Sequence, residues 1–134
     1  TESDGRGTLE EMARAAAALG YEYIVITDHS KALAMANGLD EKRALAFAKL
    51  VRGLDPAEFG LRVFSGLECD ILKDGRMDLD DEALSAPDFV VASVHSHMNL
   101  DEHAMTDRLL AALENKNIRV IGHPTGRVLL HPDA

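Results

Sequence analysis

The segment Tyr23-Ile24-Val25-Ile26-Thr27 is a continuous apolar and β-branched run. Such a run fits a strand, and its lack of polar alternation predicts one buried on both faces. Strands covered on both sides belong to parallel sheets flanked by helices. The flanking sequence supplies those helices. Upstream, Thr8 and Glu11 have the spacing of a capping box. Leu9, Met12, Ala16 and Leu19 then recur at helical spacing, and Gly20 follows as a stop. Downstream, after a loop through Asp28-His29-Ser30 to Gly38, Asp40 is placed to cap a second helix running through Ala44, Phe47, Leu50 and Val51.

Leu61–Leu67 and Asp88–Val94 read as further strands, with the turn signal Asp74-Gly75 between them. A third helix is predicted from about Asp101 to Glu114, with Met105, Leu109, Leu110 and Leu113 on one face, and Ile118–Ile121 reads as a last strand. Aromatic residues are only 4% of the 134-residue chain and Trp is absent, so the core must be built from Ala, Leu, Val and Ile. The expectation is an α/β fold with a parallel sheet or barrel. Neither an internal repeat nor a low-complexity linker marks a boundary inside the chain.

Polar residues fall at informative places. His29, Glu68, His95 and His123 each follow one of the predicted strands, at or just beyond its C-terminal end. Active sites of barrels and open parallel sheets assemble at that edge. A single His after a strand says little, but this placement repeated along the chain predicts a shared metal site. Imidazole and carboxylate together suit zinc, manganese or iron rather than calcium or magnesium alone. One carboxylate among several imidazoles is able to bridge two ions, the arrangement used for phosphate-ester hydrolysis.

The other polar residues divide more evenly. Asp28 is read either as a partner orienting a ligand or as a cap of its loop. His97 is assigned to a loop or substrate-facing position, and His103 and His131 to the surface. Asp70, Asp74, Asp78, Asp80 and Asp81 lack the spacing of a calcium loop and read as a solvated turn. Neither Gly-rich phosphate-loop pattern occurs, no nucleophile elbow surrounds Ser93 or Ser96, and Cys69 reads as a small buried hydrophobe. The formal net charge of −9 argues against a nucleic-acid grip built from basic residues, but not against a phosphate substrate met by metal ions. A single cysteine allows no internal disulfide and fits a reducing, cytoplasmic setting. No apolar stretch is long enough for a membrane span.

Ser3-Asp4-Gly5, Thr27-Asp28-His29, Gly66-Leu67-Glu68, Val94-His95-Ser96 and Gly122-His123-Pro124 together resemble the successive motifs of the PHP (polymerase and histidinol phosphatase) domain. The finer resemblance is to the C-terminal PHP domain of bacterial family X DNA polymerases. It rests on Ile26–Lys31 with Gly38-Leu39, on Asp88–Ser96, on Met105–Leu110 and on Gly122–Arg127. The resemblance implies a distorted (β/α)7, TIM-like barrel holding up to three divalent ions, manganese or zinc with iron a further option. Glu68 matches the bridging carboxylate, His95 and His123 the ligands sharing one ion with it, and Asp4 and His29 two ligands of another. Glu68, His95 and His123 would carry the catalysis. Arg127 and, more weakly, Lys31 are candidate phosphate contacts.

What the resemblance implies for function is a metal-dependent 3′→5′ exonuclease and end-processing activity in DNA repair, with an attached polymerase domain supplying most of the grip on DNA ends. The alternatives are a stand-alone phosphatase for a small phosphate monoester and a non-catalytic structural module of a polymerase. The family's opening His-x-His and closing Asp-x-His motifs fall outside residues 1–134, so the chain is expected to be one partial domain, inactive and prone to aggregate when expressed alone.

Overall fold

The computed structural model describes residues 1–125; Arg127 and His131 lie outside the described residues. Helix α1 spans Leu9–Ala18, and its capping box is formed. The Thr8 side chain accepts from the Glu11 amide, and the Glu11 carboxylate accepts from the Thr8 amide at 2.9 Å. Strand β1 spans Tyr23–His29 and is followed by a 3-10 turn at Ala34–Ala36. Helix α2, Glu41–Arg52, is capped by Asp40 as expected, and the short helix α3, Pro56–Phe59, leads into β2, Arg62–Asp70. Helix α4 spans Asp81–Ser85, β3 Phe89–Ser93, α5 Glu102–Leu113 and β4 Val120–Ile121.

The strands form one four-stranded sheet in the order β1-β2-β3-β4, parallel at every pairing. The α/β class and the parallel sheet expected from the sequence are therefore present. Side chains alternate between the faces of a strand. One face carries Ile24, Ile26, Leu67, Cys69, Val90 and Ala92 into the main core, where Leu39, Phe47 and Val51 meet them. Cys69 is fully buried there, as its reading as a small hydrophobe required. The register Val25↔Phe64, Thr27↔Gly66, His29↔Glu68 and Asp70↔Ser93 places those residues on the opposite face.

Three details differ from the expectation. Strand β1 is not buried on both faces: Tyr23 and Thr27 are exposed, on the face opposite the main core, and β1 is an edge of the sheet among the described residues. Only part of the expected apolar face of α5 is buried: Met105 is partly buried and Leu109 packs against the core. Leu110 and Leu113 are 58% and 52% exposed, whereas Arg108 and Ala112 are buried. The acidic stretch after Glu68 is not a uniformly solvated turn. Asp70 continues β2 and is buried, as is Asp78, while Asp74 and Asp81 are exposed and Asp80 caps α4. Within the described residues, no helix is long and apolar enough to cross a membrane.

Candidate metal centre

His29 closes β1 and pairs in register with Glu68 of the neighbouring strand. His95 lies two residues beyond the end of β3, with the same strand parity as Ser93. Pairing and parity thus bring three side chains to one spot: a ligand atom from each of His29, Glu68 and His95 lies within 4.8 Å of the others. The Glu68 carboxylate is the hub. Its Oε1 is 3.3 Å from His95 Nε2 and 3.0 Å from His123 Nε2, and its Oε2 is 3.6 Å from His29 Nδ1. The imidazoles of His29 and His95 pack edge on, with ring centroids 5.6 Å apart, and those of His95 and His123 are tilted at 52° with centroids 5.1 Å apart.

His123 reaches the hub by a different route. It follows β4 at a position whose strand parity would send it to the core face, and its φ of 28° turns the backbone instead. A non-glycine residue at positive φ is strained, and such strain gathers at functional sites. Gly122 makes the approach possible, since a Cβ there would lie 2.2 Å from Ser93 Oγ. Beside His123, a hollow of about 270 Å³ is lined by Val94, Met98, Leu100, Met105 and Leu109.

The hub is held from behind. Ser93, fully buried, donates its hydroxyl to Glu68 Oε1 at 2.8 Å. Burial acts to raise the Glu68 carboxyl. Hydrogen bonds from Ser93 and His123 and the nearby His29 and His95 outweigh it and hold the group below its ordinary range. Asp28 is also fully buried, but it does not touch a ring nitrogen of His29. Its oxygens accept from the Thr1 amine and hydroxyl, the Glu2 and Ser3 amides and the Ser3 hydroxyl. Burial pushes Asp28 up, and those hydrogen bonds more than reverse the effect. Asp28 thus fixes residues 1–3 against the end of β1, a role that neither of its two readings gave it.

Other sequence-derived candidates lie apart. The Asp4 carboxylate is exposed, accepts from its neighbour Ser3, and is not part of the three-residue cluster. Lys31 bonds Glu41. His97 and His103 are exposed, and His97 has a φ of 52°. Sequence reasoning missed Ser93, Asp70 and Arg108. Two of them were within reach of it. Ser93 stands two residues before His95 within the expected strand Asp88–Val94, so alternation alone put it on the site's face, and ending β2 at Asp70, two residues after Glu68, would have put Asp70 there too.

The donor set fits a divalent ion. It combines imidazole nitrogens with a carboxylate whose two oxygens face different histidines. His29 Nδ1 adds an independent sign, as it is buried, has no hydrogen-bond partner among the described residues and lies 3.6 Å from Glu68 Oε2.

Residues 2–131 match the family model described as the PHP domain. The chain is 45% identical over 129 residues to the DNA polymerase/3′-5′ exonuclease PolX of Bacillus subtilis, covering 96% of this chain and 23% of that protein. It is 34% identical over 122 residues to a probable phosphatase of Acetivibrio thermocellus, covering 87% of this chain and 47% of the relative. A probable phosphatase of Caldicellulosiruptor saccharolyticus is 37% identical over 125 residues, covering 87% and 48%. The chain thus spans less than half the length of these relatives.

Proposed function

The chain belongs to the PHP domain family, and on that premise we propose that it is a metal-dependent phosphoesterase, the 3′→5′ exonuclease and end-processing part of a bacterial family X DNA polymerase. The observation that carries this reading is the convergence of His29, Glu68 and His95 on one face of a parallel sheet, at its C-terminal edge. The 45% identity to PolX supports the polymerase assignment. On this reading the sheet is an arc of a (β/α)7 barrel, residues 1–134 are part of one domain, and the His-x-His and Asp-x-His motifs come from chain outside it.

Glu68, His29, His95, His123 and Asp4 are the proposed ligands, with Glu68 shared between ions and up to three ions, manganese or zinc, in the complete domain. Bound divalent ions supply Lewis-acid polarisation of the phosphoester and acidify the attacking water. The chain's own residues do the rest. Ser93 fixes the Glu68 carboxylate, the strand pairing fixes its distance from His29, and Lys31 and Arg127 are placed in sequence to meet phosphate oxygens. The proposed setting is the cytoplasm, with an attached polymerase domain gripping the DNA.

The test uses the full-length protein with manganese, 3′-labelled DNA and a small aryl phosphate. The wild type should release nucleotides from the 3′ end. Glu68→Ala should lose about 100-fold or more of that rate, equivalent to ~3 kcal/mol of transition-state stabilisation. Equal rates for the two proteins would overturn the assignment. The names of the phosphatase relatives favour a second reading, a phosphatase for a small monoester. Hydrolysis of the aryl phosphate with no attack on DNA would select it.

A further inference from the structure

Asp70 ends β2 two residues beyond Glu68 and is 3% exposed. Its Oδ1 lies 2.6 Å from His95 Nδ1, while the other ring nitrogen, Nε2, lies 3.3 Å from Glu68 Oε1. The imidazole therefore stands between two carboxylates, and the shorter contact is on the Nδ1 side. We propose that Asp70 is a positioning residue for His95: it accepts the Nδ1 proton, leaves Nε2 bare and aims that nitrogen at Glu68. In water the neutral histidine side chain prefers its proton on Nε2. A bare Nε2 therefore needs an acceptor at Nδ1, and a buried carboxylate is the strongest available. The inference rests on reading His95 as a metal ligand, and it deepens that reading by naming the group that makes the ring a competent donor.

The surroundings hold Asp70 to this task. Its amide donates to Ser30 Oγ at 3.0 Å, and its carbonyl accepts from the Asp78 amide at 3.0 Å. Arg108 of α5 then fixes the backbone on both sides of the pair. The residue is 2% exposed, and its guanidinium donates to the carbonyls of Ile71 and Leu72, just past Asp70, and of Ser96, just past His95. No carboxylate contacts that guanidinium within salt-bridge distance among the described residues. Burial holds the Arg108 guanidinium below its ordinary range, and the through-space charge of Asp70 offsets part of that lowering. A buried cation spent wholly on main-chain carbonyls of two adjacent strand ends is what holding Asp70 and His95 at a fixed separation requires.

The decisive readout is the tautomer of His95 in the metal-stripped, full-length protein. Histidine-labelled samples would be examined by ring 15N NMR under mildly alkaline conditions, where imidazole is neutral. The expected wild-type state has the proton on Nδ1. Asp70→Ala should move it to Nε2 and weaken manganese binding, followed by electron paramagnetic resonance, roughly 10- to 100-fold. Asp70→Asn, whose amide oxygen still accepts, should fall between. A wild-type proton on Nε2 would overturn the proposal. So would a tautomer and manganese affinity unchanged in Asp70→Ala or, if that variant does not fold, in Asp70→Asn. Absence of manganese binding by the wild type would instead sink the metal reading, and the tautomer would still decide the role of Asp70.

Discussion

His29 and Glu68 ride on strands paired in register, and His95 follows β3 by two residues, whereas Asp4, His97 and Lys31 ride on turns. The strand-borne side chains meet within 4.8 Å of one another. The turn-borne ones are exposed, and Lys31 is engaged by a neighbouring carboxylate. The difference teaches how this site is built. Parallel pairing sets which residues stand side by side, and alternation sets which face they share, so the centre inherits its geometry from the sheet. Turn residues inherit no such constraint, and their roles depend on what substrate or further chain brings to them.

Mutations that strike the two groups unequally sharpen this contrast. The largest effect should come from Glu68→Ala, which removes the hub that His29, His95 and His123 face. Its loss of ~3 kcal/mol or more in manganese-dependent hydrolysis should far exceed that of His97→Ala, which should stay within about twofold of wild type by steady-state kinetics. Similar losses in the two variants would erase the distinction between strand and turn.

Arg108→Met should come next, and in stability rather than chemistry. It strips the carbonyls of Ile71, Leu72 and Ser96, the first of them buried, of their Arg108 donor. Urea denaturation of the full-length protein should show a loss of about 2 kcal/mol. An unchanged midpoint would mean those carbonyls find other partners.

Ser93→Ala deletes one hydrogen bond to Glu68 and leaves the strand intact. The expected cost is about 1 kcal/mol, seen as a several-fold fall in turnover with little change in thermal midpoint. The smallest effect should be that of Lys31→Ala. The exposed pair with Glu41 is worth at most ~0.5 kcal/mol, so stability should be nearly unaltered. A large fall in DNA affinity in that variant would show that Lys31 leaves Glu41 for a phosphate.

Much of this arrangement was legible in the sequence because its signals are local. The capping box at Thr8 and Glu11, the cap at Asp40, the strand-helix alternation and the metal-competent residues at strand ends each announce themselves within a few residues. What escaped depends on length and tertiary contact. Ending β2 at Leu67 rather than Asp70 moved Asp70 into an imagined turn and hid its parity with Glu68. Arg108 carries no local sign of burial, since it stands beside Asp107 in a helix. Only the packing of α5 against the strand-end loops turns it inward, displacing Leu110 and Leu113 to the surface. The edge position of β1, too, is a property of the sheet order, which a run of β-branched residues does not encode.

The most direct test is diffraction from crystals of the full-length protein grown with manganese, with data collected at the manganese absorption edge. The account predicts an anomalous peak at bonding distance from Glu68 and from imidazole nitrogens of His29 or His95, with His95 Nδ1 still turned to Asp70. Manganese bound elsewhere, with Glu68 contacting only protein groups, would contradict it.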